Sequence, residues 1–208
     1  MKVIWNALPR KAWEEFHAQH GGSLQQSWAY GEAMMALGVQ AHRAAVMDGR
    51  KVMGLAQFIG RRYLAYVSLA SCTRGPVWSP ALDAAARRGL YKAMKKSIPT
   101  RMFRVTLFSP DLPLAELDPV SVRGMQRVMT GYSTVVLDLT QQEATLRENL
   151  DRKWRNRVFR PQRSAQLDVQ LKADLRDCRF LLERETEQRK TRNFHGLPTD
   201  FVPAYIEA

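Results

Sequence analysis

A cluster of basic residues between positions 149 and 163, NLDRKWRNRVFRPQR, is the part of this sequence richest in groups that bind anions. Arginine carries forked N–H donors that match phosphate and carboxylate groups, so the cluster can clamp an anionic ligand. A run of charges is equally typical of a solvated helix face, and both interpretations stay open. The candidate anion-binding residues are Arg152, Lys153, Arg157 and Arg160.

The spacing of apolar residues predicts that this cluster lies on a helix. An apolar residue recurs at every fourth position and forms one stripe: Leu146, Leu150, Trp154 and Val158. Because such a stripe normally faces a core, we expect Trp154 to be buried. Proline disrupts the preceding helical turn, so Pro161 predicts that the helix ends near Phe159 or Arg160 and that Arg163 lies in a connecting loop.

A second candidate site is the segment TRGPVW at positions 73–78. A Gly-Pro pair favours a rigid turn, and the simplest interpretation is a loop that connects a strand to a helix. The alternative is a substrate-facing loop in which Arg74 meets an anion and Trp78 provides an apolar wall.

Several familiar chemistries have no motif in the sequence. The four histidines show neither HExxH nor paired Cys/His spacing, so no metal site is predicted. The signatures GxSxG, GxxxxGKS and GxGxxG are also absent, which leaves the serine-hydrolase, P-loop and dinucleotide-fold readings without motif support. No catalytic base is singled out, and Cys72 and Cys178 lie far apart, which favours free thiols.

The charge balance points to anionic partners. The 32 Lys plus Arg exceed the 20 Asp plus Glu and give a net charge of +12. This excess favours nucleic acid, phosphorylated cofactors or an acidic membrane surface, without choosing among them. The N-terminus lacks the apolar core of a secretory signal, and no apolar run approaches the ~20 residues that cross a membrane. We therefore expect a folded cytoplasmic protein.

The elements that position these residues form an α/β pattern with local antiparallel pairing. The sequence predicts strands at 2–8, 40–48, 51–62, 63–70, 101–108, 132–139 and 167–173. It predicts helices at 8–20, 27–38, 81–98, 119–129, 141–160 and 174–192 and from 198 onward, with a loop at 71–80. Asp48-Gly49 supplies the tight turn of a hairpin, and Ser27 is a helix N-cap.

Taken together and in order, these motifs resemble a known family. The segments are Gln26-Ser27-Trp28 followed by Tyr30, the hairpins, residues 73–78, the strand at 134–139 and Lys153-Trp154-Arg155-Asn156. They are similar to the FemAB-like branch of the GNAT acyltransferase superfamily over roughly residues 1 to 190. The resemblance implies a GNAT-like mixed, largely antiparallel sheet flanked by helices, followed by the incomplete start of a second GNAT-like unit.

The family transfers an acyl or aminoacyl group to an amine, and its best-known members extend the peptide bridges of peptidoglycan precursors. By this resemblance residues 1–130 are the first GNAT-like unit, and residues 131–208 are the N-terminal, truncated part of a second. The amine acceptor then binds in a groove between the two units. The residues expected to line that groove are Arg74, Trp78, Arg155 and Asn156.

The resemblance also implies which cofactors and partners to expect. Either aminoacyl-tRNA or acyl-CoA is implied as donor, but residues 71–80 do not form the phosphate loop of CoA-dependent relatives, so no cofactor is predicted in this chain. The implied partners are an anionic or cell-wall precursor acceptor and tRNA, with peripheral contact at the inner face of the membrane. The alternative function is a non-catalytic binding module for nucleic acid or lipid headgroups, because the second unit is incomplete.

Overall fold

A mixed, mostly antiparallel sheet of six strands organises the N-terminal part of the chain. The computed structural model describes residues 1–64, 67–99, 103–111, 122, 124–129, 134, 136–163, 175–194 and 196–208. The strands are β1 (Lys2–Trp5), β2 (Gln40–Asp48), β3 (Lys51–Leu64), β4 (Val67–Thr73), β5 (Val77–Trp78) and β6 (Phe103–Ser109). The fold class predicted from the sequence, a mixed and largely antiparallel sheet flanked by helices, is confirmed.

Two of the strand pairings, β2–β3 and β3–β4, join strands that follow each other closely in the chain. The sheet runs β1-β2-β3-β4-β6, and β5 pairs separately with β3. The β2–β3 hairpin closes at Gly49, whose φ of 58° is the left-handed conformation that the predicted Asp48-Gly49 turn requires. Only β6 is parallel to its neighbour, β4, and it reaches this position after a helical crossover.

Helices cover both faces of the sheet. On one side lie α1 (Arg10–Gln19) and α2 (Trp28–Ala36), and on the other lies α3 (Ala84–Ser97). Trp13 and Phe16 of α1 pack on Ala45 and Leu55, whereas α3 covers a cluster centred on Phe58. Because neighbouring strand residues point to opposite faces, each strand supplies both cores. The predicted N-cap Ser27 accepts from the backbone N–H of Tyr30, at 3.2 Å.

The chain divides into two compact units. Unit 1 comprises Met1–Met129 and Glu185–Ala208, and unit 2 comprises Thr130–Arg184. The remaining helices are α4 (Glu143–Glu148), α5 (Arg152–Arg163), α6 (Leu175–Arg192) and α7 (Phe201–Glu207). In unit 1, Phe201 of α7 packs on Ala33 and Met34 of α2. The domain boundary expected between residues 130 and 131 stays a prediction.

The segment at 71–80 is not the loop that the sequence predicts. Strand β4 continues through Thr73, and Val77–Trp78 forms the short strand β5. Gly54 of β3 makes this pairing feasible, since a Cβ at that position would lie 2.5 Å from the Trp78 ring. The long strand β3 therefore offers an edge that local sequence patterns do not reveal.

Two elements predicted in the middle of the chain are not formed at the positions described. Residues 124–129 are not helical, and residues 134 and 136–138 are not in a strand. Val136 and Leu139 are largely exposed. Residues 119–121, 123, 132–133 and 135, and the whole strand predicted at 167–173, lie outside the described residues.

The helix predicted at 141–160 is two helices, α4 and α5, separated by Asn149–Asp151. The break has local causes. Asp151 Oδ1 accepts from the backbone N–H of Lys153 at 2.8 Å, which favours a new helix start. Arg155 Nη2 donates to the carbonyls of Glu148 (2.9 Å) and Leu150 (3.1 Å), which satisfies acceptors at the end of α4.

Two predictions about α5 are wrong. Trp154 is 59% exposed and Val158 is 41% exposed, so the apolar stripe does not face a core. Pro161 does not end the helix, which continues to Arg163. The helix continues through Pro161 without the hydrogen bond to residue 157 that its missing N–H would make. Arg163 is consequently helical rather than part of a loop.

Candidate functional site

Unit 1 contains a groove of about 230 Å³ between the sheet and α2. Alternate residues of β3 and β4 form its floor, since residues two apart in a strand share a face. Tyr30 and Met34 of α2 form one wall, and Leu197 contributes from the segment before α7. The complete lining is Gln25, Tyr30, Met34, Gln57, Ile59, Arg61, Leu69, Ser71, Thr73 and Leu197.

Tyr30 and Arg61 are the polar groups of the groove with the clearest chemistry. Burial raises the pKa of the Tyr30 phenol, and the positive charge of Arg61 acts in the opposite direction. The phenol is therefore protonated at neutral pH and able to donate a hydrogen bond. No carboxylate lies within ion-pair distance of Arg61 among the residues described, so its guanidinium is available to an anion.

The remaining lining divides into a hydroxyl pair and an apolar side. The hydroxyls of Ser71 and Thr73 lie 3.2 Å apart and hydrogen-bond to each other on β4. Apolar contacts come from Met34, Ile59 and Leu69. Such a groove suits a ligand that combines an anionic group, hydrogen-bonding groups and a short apolar part.

A buried hydrogen-bond network behind the groove fixes its shape, and Gln57 is at its centre. The Gln57 side chain donates from Nε2 to the carbonyls of Gln25 (3.1 Å) and Ser27 (2.9 Å). Its Oε1 accepts from Arg43 Nε at 2.9 Å. One side chain thereby holds the backbone that leads into α2, including the N-cap residue, against β3.

Gln26 extends this network to β4. Its Nε2 donates to the carbonyl of Thr73 at 2.8 Å, and its Oε1 accepts from the backbone N–H of Gln57 at 2.7 Å. The side chain is fully buried, and a Cβ on Gly75 would approach its amide to 2.5 Å. Gln26 therefore joins the start of α2 to two strands, which gives the Gln-Ser-Trp motif a structural role.

Arg43 completes the network as a nearly buried cation. Its Nη2 donates to Glu32 Oε1 at 2.9 Å and to the Trp28 carbonyl at 3.1 Å, and its guanidinium lies 3.7 Å from the Trp28 ring centroid. Burial lowers the pKa of Arg43, while the hydrogen bond and charge of Glu32 raise it. An arginine remains charged under these conditions, so Glu32 and the aromatic ring compensate its burial.

The structure places Arg74 and Trp78 in unit 1 but outside the lining of this groove. Arg74 Nε and Nη2 both donate to Asp111 Oδ2, at 3.0 and 2.8 Å. Trp78 is partly buried and packs edge-on against Tyr91 of the core, with ring centroids 5.6 Å apart. Their assignment to a substrate site stays a prediction.

The other six predicted site residues all lie on α5 in unit 2: Arg152, Lys153, Arg155, Asn156, Arg157 and Arg160. All six side chains are exposed. Arg155 is engaged by backbone carbonyls, and the Arg157 guanidinium lies 5.7 Å from the Trp154 ring centroid. The groove expected between the two units also stays a prediction.

The sequence does not predict three of the groove residues: Tyr30, Gln57 and Arg61. Tyr30 belongs only to the motifs that carry the family resemblance. The signal for the other two is faint: Gln57 and Arg61 lie four positions apart on one face of β3, with the apolar Ile59 between them. Polar residues on a covered strand face are a reason to look for a site there.

Other classes of site receive no support in the described part of the chain. No group of three or more His, Cys, Asp or Glu side chains is arranged to hold a metal ion there. Within the same residues, no helix is long and apolar enough to cross a membrane. Both Cys72, which is buried, and Cys178, which is partly exposed, are free thiols.

Comparison with solved structures identifies the fold. FemX matches over 100% of this chain with a TM-score of 0.74 and 17% sequence identity. A probable acetyltransferase matches 66% of the chain with a TM-score of 0.40 and 12% identity. No protein-family model and no curated protein matches the sequence. The chain has a FemAB-like GNAT fold and spans about half the length of FemX, 54%.

Proposed function

Because the chain has a FemAB-like GNAT fold, we propose that it acts in the transfer of an acyl or aminoacyl group to an amine. The observation that carries this proposal is the similarity to FemX over the whole chain. In such a reaction the amine nitrogen attacks the carbonyl carbon of the donor ester or thioester. An amide bond forms as the ester or thioester bond breaks, and the alcohol or thiol portion of the donor leaves with the proton that the amine loses.

The groove of unit 1 is the proposed acceptor site. Arg61 would bind an anionic group of the acceptor, and the protonated phenol of Tyr30 would donate a hydrogen bond beside it. A cell-envelope precursor that carries both an anionic group and a free amine fits these contacts. The network through Gln57 would act as a positioning device, because it holds the start of α2 in place behind the groove.

We propose aminoacyl-tRNA rather than acyl-CoA as the donor. The turn between β4 and β5 contains Pro76, which has no backbone N–H, and Gly75 is packed against Gln26. This turn therefore lacks the row of free amides that cradles a pyrophosphate. The net charge of +12 suits contact with tRNA. Both reactants occur in the cytoplasm, and we therefore place the protein in the cytoplasm, at the inner face of the membrane.

The test measures acceptor binding and transfer separately. A peptidoglycan precursor with a free amine is titrated into the purified chain by calorimetry. The variant Arg61→Gln should bind about tenfold more weakly or worse, since a charged hydrogen bond is lost. The control Arg50→Gln removes an equal charge at the exposed β2–β3 turn and should leave the affinity unchanged.

Transfer is then followed with a labelled aminoacyl-tRNA and the same precursor. Incorporation of label into the precursor supports the proposal. Binding that depends on Arg61 without any transfer would favour the non-catalytic module. An affinity that is equal in Arg61→Gln and the unaltered chain would remove the groove from the acceptor site.

A further inference from the structure

Helix α5 of unit 2 combines dense positive charge with exposed apolar side chains. It has no acidic residue within Arg152–Arg163 and six basic ones: Arg152, Lys153, Arg155, Arg157, Arg160 and Arg163. A helix that served only as a solvated surface would be more stable with charges of both signs, because like charges three or four residues apart repel each other. The composition therefore calls for an anionic partner.

The apolar residues of α5 are adjacent on one side of the helix. Trp154 and Val158 are four residues apart, which places them one above the other on the same face. Both are substantially exposed, and the ring of Trp154 is approached by the guanidinium of Arg157. Exposed apolar side chains that adjoin one another, unlike single scattered ones, are typical of contact surfaces.

The basic residues differ in how far they are committed to other contacts. Arg155 is held by the carbonyls of Glu148 and Leu150 and helps to fix the start of the helix. Arg152, Lys153 and Arg160 have exposed side chains, and in the described part of the chain no carboxylate lies within ion-pair distance of them. Their charges are thus free to meet an external anion.

We propose that α5 lies in the interface of an anionic lipid bilayer, with Trp154 and Val158 inserted among the headgroups. Helices that bind a membrane surface carry Lys and Arg on the polar side and Trp, Phe or Leu on the other, as α5 does. Tryptophan favours the boundary between headgroups and acyl chains, because its ring is apolar and its N–H is polar. Long arginine and lysine side chains reach lipid phosphates from the flanks of the apolar stripe.

The pairing of Trp154 with Val158 favours a membrane over a nucleic acid. Phosphates of a nucleic acid bind to charge alone, and an exposed valine adds nothing to that contact. A bilayer uses both properties of the helix, since the basic groups meet the headgroups while the apolar stripe leaves water. This inference concerns unit 2 and does not depend on the transfer reaction.

The experiment is co-sedimentation of the full chain with lipid vesicles. One set contains phosphatidylcholine alone, and the other contains phosphatidylcholine with about one third phosphatidylglycerol. The chain should sediment with the anionic set and stay in solution with the neutral set. Added salt should weaken binding, because it screens the headgroup charges.

Two pairs of variants locate the contact. The double variant R152Q/R160Q should lower the partition coefficient about 25-fold, from roughly fivefold for each basic residue near the surface. R50Q/K51Q removes the same charge from the exposed hairpin of unit 1 and should change it less than twofold. W154S should lower partitioning about tenfold, whereas I206S, at an exposed apolar residue of unit 1, should leave it unchanged.

Three results would overturn the proposal. The first is an equal loss in R152Q/R160Q and R50Q/K51Q, which would mean that only net charge matters. The second is unaltered binding by W154S. The third is preferential binding to a single-stranded RNA oligonucleotide that W154S leaves unchanged, which would assign α5 to nucleic acid. All six substituted positions are exposed, so circular dichroism should show native folding in every variant.

Discussion

Two tryptophans in similar local sequences have opposite environments in the two units. Trp13 follows Arg-Lys-Ala in α1 and is fully buried, whereas Trp154 follows Arg-Lys in α5 and is 59% exposed. In unit 1 the sheet supplies Ala45 and Leu55 as a surface for Trp13. The difference shows that an amphipathic pattern specifies an apolar face on a helix but does not specify which element covers that face.

The largest expected effect is the difference in unfolding free energy between alanine substitutions at the two tryptophans. Trp13→Ala should lower the free energy of unfolding by about 4 kcal/mol, because it leaves a large cavity and removes the hydrogen bond from Trp13 Nε1 to the Gln26 carbonyl. Trp154→Ala should change it by no more than about 0.5 kcal/mol. Urea unfolding followed by circular dichroism measures both. Similar losses in the two variants would mean that Trp154 is covered in solution.

The second largest effect on unfolding free energy is expected for a buried glutamine of unit 1, in comparison with an exposed glutamine of unit 2. Gln57→Leu should cost about 3 kcal/mol of unfolding free energy, because it leaves Arg43 Nε and the carbonyls of Gln25 and Ser27 without partners in a buried site. Gln142→Leu, at an exposed position before α4, should cost about 0.5 kcal/mol or less. Thermal and urea unfolding provide the values. A cost below about 1 kcal/mol for Gln57→Leu would show that water replaces the network.

A smaller contrast is expected between the two thiols. Cys72 is fully buried, and burial raises its pKa, so its reactive thiolate is scarce in the folded protein. Cys178 in unit 2 is only partly buried. A disulfide reagent at pH 8 should label Cys178 at least about a hundredfold faster than Cys72, as read by mass spectrometry of peptides. Equal rates in native conditions would contradict the tight packing of unit 1.

The smallest effect concerns pH. Burial lowers the pKa of His42, so the folded state favours the neutral ring. Its contribution to stability is complete above pH about 6.5, the unfolded value, and declines as the pH falls toward the folded pKa. The variant His42→Gln should show a flatter loss of unfolding free energy between pH 7 and pH 5. A pH dependence that persists unchanged in this variant would mean that His42 does not cause it.

The sequence indicated most of unit 1 because its signals are local. The Asp48-Gly49 turn, the Ser27 N-cap and the alternation of β2 and β3 each arise from residues close together in the chain. Helix α3 likewise begins where Asp83 accepts from the backbone N–H of Ala86. The family resemblance rested on the order of such segments, and comparison with FemX confirms the fold that it implied.

Only the tertiary structure decided which residues meet. Gln26, Gln57 and Arg43 are separated by up to 31 positions, and their hydrogen bonds depend on how α2 crosses the sheet. The groove with Tyr30 and Arg61 forms for the same reason, since its walls come from a helix and two strands. The local sequence could not predict the exposure of Trp154 either, because the burial of a side chain depends on the surface that another element presents. Local propensity and turn chemistry fix the elements, whereas packing between distant segments fixes the site.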